Sequence, residues 1–471
     1  MAARAAAMLA AMLACGCTVG PDYVRPEVDM PAAFKEGWKP AEPRDHEARG
    51  AWWEAFDDPL LNDLLHQVDI SNQNLARAEA QYRQALAVID ASRAAYFPNV
   101  TAGLTTTRSR ASATTIAQPS SVPVSRGVVV NHNLPFNATW EADLWGRIRS
   151  TVDASVAGAQ ASQADLETAR LSARAQLAQT YFQLRSLDGQ KQLLEDTIAA
   201  YQKSLDLTQN RYAAGVAAKA DVVQAASQLK TLQAQAIDID VARAQGEHAI
   251  ALLIGKPPSA LSIKRAPLTA MPMPVPAALP SELLERRPDI AGAERRTAAA
   301  NAQIGVAKAA FFPSFTISSG AGYQSSNMAQ WFTAPSRFWS IGPAIALSVF
   351  DGGLRRSQTE QAIAAYDASV AAYRQAVLTA FQEVEDNLAA LRILEQEAEV
   401  QTEAVKLARQ SLELTVNQYK AGTVSYLNVV TAQAAALGNE RTALDIRNRR
   451  LAANVLLIKA LGGGWQGAAK P

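Results

Sequence analysis

The sequence predicts a mainly α-helical chain with a small membrane-type β component, arranged as an internal twofold repeat. Three observations carry this. Apolar residues recur at every seventh position through Ile363, Val370, Val377, Val384, Leu391, Ala398, Val405, Leu412 and Tyr419, with Phe381 and Leu388 beside them. A seam sustained that far implies helices packed as in a coiled coil. Two motifs occur twice in the same order: AAYFPNVT at 94–101 returns as AAFFPSFT at 309–316, and NRYAAG at 210–215 returns as NQYKAG at 417–422. Offsets of 215 and 207 residues indicate a duplication with small insertions. The stretch 338–350 alternates, with Trp339, Ile341, Pro343, Ile345, Leu347 and Val349 on one face. Ser340, Gly342, Ala344, Ala346 and Ser348 occupy the other face.

Composition agrees. Of 471 residues, 95 are Ala, so the 49% hydrophobic content falls to about 29% of bulky apolar residues. That is thin for one large core and suits helices that approach closely on small side chains. With 45 basic and 44 acidic residues, no basic excess favours nucleic acid as a partner.

At the N-terminus, Arg4 precedes an apolar run from Ala5 to Ala14 that is too short to span a bilayer. Residues 1–16 therefore read as a secretory signal peptide. A cysteine after small residues at the end of such a run is the arrangement of a bacterial lipoprotein precursor, whose thiol is acylated. Cys17 is the preferred acceptor and Cys15 the alternative; chance cysteines in a discarded peptide are the bland reading. Thr18 beside it leans toward outer-membrane sorting. The remaining chain has no Cys, which excludes a disulfide framework and any Cys-based metal site or nucleophile. It also has no second apolar stretch long enough for a membrane helix, so any crossing must use strands.

Residues 17–61 read as an extended segment. Repeat 1 occupies 62–256: a helix over 62–95, strands at 98–106 and 128–141 around a Ser/Thr-rich loop, a helix over 148–211, a turn at Gly215 and a helix over 219–254. A Pro-rich linker follows at 257–280. Repeat 2 occupies 281–461 on the same plan: a helix over 282–310, strands at 314–323 and 338–350, a helix over 353–418, a turn at Gly422 and a helix over 424–460. Residues 462–471 are a tail. The first long helix has a weaker seam (Leu177, Leu184, Ile198, Leu205, Tyr212), interrupted by Lys191. At ~1.5 Å per residue that helix is roughly 96 Å long, and its neighbours, roughly 51 and 54 Å, match it end to end. Each repeat thus supplies one long strut and one made of two halves, with Gly215 and Gly422 at the tips.

Aromatic residues at strand ends (Phe97, Trp140, Trp145, Phe312 and Trp339) suit an interfacial girdle, although alternation alone fits a soluble half-buried sheet equally well. Four strands cannot close a barrel in lipid, so a membrane reading requires more than one chain. Chemistry is not indicated. His46, His66, His132 and His248 are scattered, and neither a phosphate-binding glycine loop nor a G-x-S-x-G motif is present. No metal and no cofactor is expected beyond the covalent lipid. Glu383, Glu385 and Asp386 crowd together as a solvated helix face or a tunnel lining. A coiled-coil scaffold would explain the heptads but not the paired strands.

Four segments carry a family likeness: GCTVGPDY (16–23), WWEAFDDPLLNDLL (52–65), LPSELLERRPDIAGAERR (279–296) and NQYKAGTVSYLNVVTAQ (417–433). Together they resemble the outer-membrane factor family, TolC- and OprM-like exit ducts of tripartite efflux pumps, in its NodT-type lipoprotein branch. The resemblance covers essentially the whole mature chain. It implies a homotrimer with a twelve-stranded β-barrel in the outer membrane, a twelve-helix periplasmic tunnel and an equatorial belt formed by the linker and both ends. It also implies a periplasmic adaptor meeting the tip turns at Gly215, Val216, Gly422 and Thr423. An inner-membrane transporter, usually of the resistance-nodulation-division type, would load drugs or other small toxic compounds. A TolC-like channel for type I protein secretion is the alternative. In TolC-like members polar links and acidic rings close the tip. By position, Asp221 and Tyr419 match two linking residues, the basic linking position falls on Val424, and the ring positions fall on Asn428 and Thr431. Closure here would then rest more on packing around Leu427 and Val430. For Asp221 the alternative is a solvated carboxylate favoured by a helix N-terminus.

Overall fold

The structure, a computed structural model, describes residues 19–28, 51–110, 112, 127–272 and 287–463. The signal peptide, Cys15 and Cys17 lie outside the described residues, as do 29–50, most of the loop after the first strand, and the tail from 464. In chain order the elements are α1 (Pro59–Ser71), α2 (Gln73–Arg93), β1 (Asn99–Ala102), β2 (Thr105–Ser109), β3 (Val129–Ala142), α3 (Arg147–Ala213) and α4 (Lys219–Leu253). They continue as α5 (Pro288–Ala309), β4 (Ser314–Ser325), β5 (Arg337–Ala346), α6 (Leu354–Ala421) and α7 (Tyr426–Ala460). Helices α3, α4, α6 and α7 start and end close to the expected positions, whereas α5, expected from 282, opens only at Pro288, whose missing N–H costs nothing at a helix start.

Two expectations are corrected near the N-terminus. Residues 52–61, read as extended, form a 3₁₀ turn over Trp52–Phe56 and the first turn of α1. Asp58 starts that helix by accepting from the Leu60 and Leu61 N–H groups. The single helix expected over 62–95 is two helices. Asn72 interrupts it, because its side-chain oxygen caps α2 at the Asn74 and Leu75 N–H groups while its amide donates to the Leu253 carbonyl.

The chain divides into two compact units. The first comprises the described parts of Met1–Pro26, Tyr82–Ala161 and Ala293–Ala372, and holds the sheet. Its order is β1-β3-β4-β5, all neighbours antiparallel, with β2 also on β3. The strand expected over 98–106 is thus cut in two. The cause is Pro135 at the middle of β3: Gly103 donates to the Pro135 carbonyl at 3.0 Å, but proline has no N–H to return. Register is unbroken across the notch, with Ala102 opposite Phe136 and Thr105 opposite Asn133. On its other side Pro135 faces Gly322, where a Cβ would come within 2.2 Å of the Leu134 carbonyl oxygen. The fourth strand stops at Ala346 instead of 350, because its partner β4 begins at Ser314, immediately after Pro313.

Also in this unit, residues 19–26 lie against α3 and α5. Tyr23 donates to the Glu294 carboxylate at 2.8 Å, and Asn301 donates to the Pro21 carbonyl at 3.0 Å. Gly305 permits the close packing of α5 on α3 and on this segment, since a Cβ there would sit 2.6 Å from the Ser150 hydroxyl of α3 and 3.3 Å from the Gly20 Cα.

The second unit comprises the described parts of Glu27–Gln81, Ser162–Gly292 and Tyr373–Pro471. One core gathers Trp53, Phe56, Leu61, Leu64 and Leu65 against Tyr181 and Phe182 of α3, Ile250 of α4 and Leu451 of α7. Beyond a 3₁₀ turn at Pro258–Ala260, the described linker backbone is irregular, and side chains pair with it. Arg185 donates to the Lys264 carbonyl, Glu247 accepts from the Ile263 N–H, and Asp188 accepts from the Ala266 N–H. Asp188 is nearly inaccessible and is held between Arg185 and Arg243. Lys191, the break in the first seam, is buried and bonded to Asp240 of α4 at 2.8 Å. It is a helix-to-helix ion pair inside the seam.

Candidate functional site

Antiparallel register puts directly opposed residues on one face of a sheet. Successive rows on one face are Leu104–Leu134–Tyr323–Arg337, Ala102–Phe136–Ala321–Trp339 and Val100–Ala138–Ser319–Ile341. They continue through Trp140–Ile317–Pro343 and Ala142–Phe315–Ile345. The opposite face carries Asn137–Gly320–Ser340, Thr139–Ser318–Gly342 and Glu141–Thr316–Ala344. The sheet is therefore apolar on one side and small or polar on the other. The apolar side is bare: Trp339 is 78% exposed, with Ile341 and Ile345 nearly as open. Both outer strands, β1/β2 and β5, have an unpaired edge.

The five girdle residues divide between the two ends of this face. Trp145 stacks on Phe312 at 4.8 Å and donates to the Pro313 carbonyl at 2.7 Å. Trp140 donates to the Tyr96 carbonyl at 2.9 Å, and Phe97 adjoins it at the same, helix-bearing end. Trp339 lies toward the loop end, near Tyr323, Trp331 and Phe332, which contact one another. Trp331 was not singled out from sequence, because its burial comes from a loop folding back onto the strands.

In the second unit the two tip turns have one geometry. Gly215 (φ +74°) donates to the Tyr212 carbonyl while Val216 donates to that of Arg211. Gly422 (φ +79°) and Thr423 make the equivalent bonds to Tyr419 and Gln418. These are Schellman ends, in which glycine takes the left-handed position. Beneath them Tyr419, Tyr426, Val429 and Val430 join Tyr201, Leu205, Leu229 and Leu232 in a core. Tyr419, 4% exposed, meets Tyr426 edge-on at 5.5 Å and its hydroxyl bonds Thr208 at 3.3 Å. Burial raises the Tyr426 pKa, and the charge of Asp221 adds to the shift. Val430 is 7% exposed and committed to this core, whereas Leu427 is 65% exposed, with Asn428 and Thr431 also open. Of the two packing residues expected at the closure, only Leu427 therefore offers free surface.

Sequence reasoning missed Arg211. Its guanidinium donates to the Tyr419 and Lys420 carbonyls at 2.7 and 3.1 Å and lies over the Tyr419 ring. It thereby caps the C-terminus of α6 from the neighbouring turn. The N-R-Y spacing was visible, but the partner is 208 residues away. Glu383, read as a solvated or tunnel-lining carboxylate, keeps 41% of its side chain exposed and also pairs with buried Arg287 at 2.7 Å. Arg287 also grips Asp289 through two bonds and donates to the Ala460 carbonyl, so the RRPDI segment ties the start of α5 to α6 and to the end of α7.

The long seam is partly filled by the chain itself. Val377, Val384 and Leu391 are buried, and Val405 and Leu412 half-buried, while Ile363 is exposed. A second heptad stripe on α6 (Ile393, Val400, Leu407 and Leu414) is exposed. Among the described residues no helix is long and apolar enough to cross a membrane.

The model of the outer membrane efflux protein family matches this chain twice, over residues 64–256 and 279–463. A probable efflux pump outer membrane protein, SepC of Pseudomonas putida, is 32% identical over 464 residues, covering 96% of this chain and 94% of that protein. The pyoverdine export outer membrane protein OpmQ of Pseudomonas aeruginosa is 30% identical over 456 residues, again covering 96% of this chain and 94% of the relative. The solved structure of the outer-membrane channel OprN superimposes with a TM-score of 0.87 at 31% identity, covering 96% of this chain and 100% of that one.

Proposed function

Because the chain belongs to the outer membrane efflux protein family, we propose that it is the outer-membrane exit duct of a tripartite pump, passively conducting small toxic compounds to the exterior. The observation that carries this is the two-faced sheet with two open edges. Alone in lipid, those edges would leave backbone N–H and C=O groups unpaired, at a cost of several kcal/mol each. Edge-to-edge pairing with further copies removes the cost. One chain supplies four strand positions, too few for a barrel; three chains supply twelve. The apolar face then meets lipid and the polar face lines the pore. β5 has ten residues, about 34 Å at ~3.4 Å per residue, or about 25 Å across a membrane when tilted by ~40–45°.

The same trimer supplies cover for the open stripe on α6 and brings the tips together. In this reading Gly215, Val216, Gly422 and Thr423 receive a periplasmic adaptor, which links the duct to an inner-membrane transporter. Cys17, or failing it Cys15, carries the lipid anchor. Asp221, Tyr419, Asn428, Thr431 and Leu427 form the closing face, with Val430 supporting it from within. Relatives named for pyoverdine export and for efflux favour small cargo over secreted proteins.

Deletion of the gene should sensitise cells to solvents or antibiotics, and the protein should fractionate with the outer membrane as a detergent-stable oligomer. A soluble monomer, or a deletion strain with unchanged sensitivity to every compound, would remove this reading. Asp221→Ala with Tyr419→Phe should raise conductance in planar bilayers, and unchanged closure would remove the gate assignment. Labelled palmitate should be incorporated and then lost on Cys17→Ala; loss only on Cys15→Ala would move the anchor.

A further inference from the structure

The strand-and-loop part of the chain is cationic without exception. No Asp or Glu occurs between Asp90 and Glu141, or between Glu294 and Asp351. From 94 to 140 and from 309 to 350 the charged residues are four arginines, Arg108, Arg110, Arg126 and Arg337. Arg126 lies outside the described residues. Register places two of the others on the apolar face. Arg108 is opposite Val130, in line with His132 and Leu134, and Arg337 is opposite Tyr323, two residues outward of Trp339. The Arg337 guanidinium lies 5.9 Å from the centre of the Tyr323 ring. Arg108, Arg110 and Arg337 are exposed, and none has a carboxylate within ion-pair distance among the described residues.

The opposite end of the sheet differs. There Arg147 pairs with Glu141 at 2.7 Å and Arg355 with Asp351 at 2.5 Å. Among the described strand residues the unpaired arginines thus lie at the loop end, and register puts Arg108 and Arg337 on the face that the proposed trimer turns toward lipid. Along β5 on that face the order is aliphatic Ile345 and Ile341, then Trp339, then Arg337 in the row of Tyr323. A leaflet of hydrocarbon, interface and phosphate has the same order. Guanidinium groups grip phosphate oxygens in pairs. Anionic cargo would need such groups on the polar face, and register puts Arg108 and Arg337 on the other one.

We propose that the loop-end rim of the sheet is a binding surface for phosphate-bearing lipid headgroups, held by Arg108 and Arg337 with Arg110 beside them. This rests on the reading of the sheet as a membrane barrel closed between copies. Closure sets the β5 edge of one copy against the β1/β2 edge of the next, so Arg337 and Arg108 of adjoining copies border one seam. Their mutual repulsion favours an anion there.

The test uses the full-length oligomer in bilayers of phosphatidylglycerol and phosphatidylcholine, with one lipid or the other brominated to quench tryptophan. Wild type should favour the anionic lipid by up to roughly thirtyfold at this rim, as two interfacial arginines predict. R108Q/R337Q should bring the ratio close to unity without dissociating the oligomer, and Asn137→Ala on the polar face should leave it unchanged. Excess inorganic phosphate should not displace the lipid. Equal quenching by both lipids in wild type, an unaltered ratio in the double variant, or displacement by free phosphate would overturn the proposal. Absence of quenching by either lipid would instead overturn the membrane reading beneath it.

Discussion

Arg211 and Tyr419, at the ends of the two long helices, are joined twice: the guanidinium stands 4.7 Å from the ring centre and donates to the tyrosine carbonyl at 2.7 Å. The contact fixes one tip turn to the other within a protomer. It combines a cation–π contact with a charged cap on the α6 carbonyls.

Arg211→Ala should therefore loosen the tip. A loss of about 1–2 kcal/mol would raise the open fraction on the order of tenfold. Single-channel recording in planar bilayers reads this directly. Arg211→Lys keeps the charge but not the planar stack and should lie between. If both variants stay as closed as wild type, the clasp does not control the tip.

Arg287 binds Asp289, Glu383 and the Ala460 carbonyl from a buried position. Burial opposes its charge, and these carboxylates outweigh that to hold its pKa above the ordinary value. Arg287→Met leaves two part-exposed carboxylates without their partner and the Ala460 carbonyl without its donor, and should destabilise the fold by about 1–3 kcal/mol. Glu383→Gln should cost less. Thermal unfolding of the detergent-solubilised oligomer separates the two, and equal small losses would show that the pairing is incidental.

Pro135 withholds one bond from β1/β2. Pro135→Thr restores an N–H facing the Gly103 carbonyl and should stabilise the strand by about 1 kcal/mol. Amide exchange at residues 103–105 should slow accordingly. Exchange that stays as fast as wild type would mean the notch has another cause.

Tyr201 is buried in the tip core, and desolvation, assisted by neighbouring Tyr426, pushes its pKa up to about 12. The unfolded chain ionises near ~10. A pKa raised on folding stabilises the protein fully below the unfolded value, and this stability drains away as pH rises from ~10 to ~12. The loss should be about 2–3 kcal/mol. Tyr201→Phe should flatten that part of the pH–stability curve, and alkaline absorbance should show one late-titrating phenol fewer in the variant than in wild type.

Much of the fold was legible because its signals are local. Heptad spacing located α3 and α6, the glycines located both tip turns, and alternation located β5. The tip site was legible only in outline. Gly215 and Gly422 announced themselves by position, but Arg211 and the inward commitment of Val430 depend on partners far away in the chain. The same holds for the notch in the first strand, caused by a proline more than thirty residues later.

By itself, then, the sequence determined element types, their order and the long seam on α6, since periodicity is a property of neighbouring residues. Only the tertiary structure decided how much of that seam the chain fills itself, and revealed the second, exposed stripe beside it. It likewise decided that Lys191 and Glu383 are paired charges and that the sheet's apolar and polar rows align across four strand positions. Those outcomes turn on which distant groups meet, and on the cost of leaving a buried charge or backbone group unpaired.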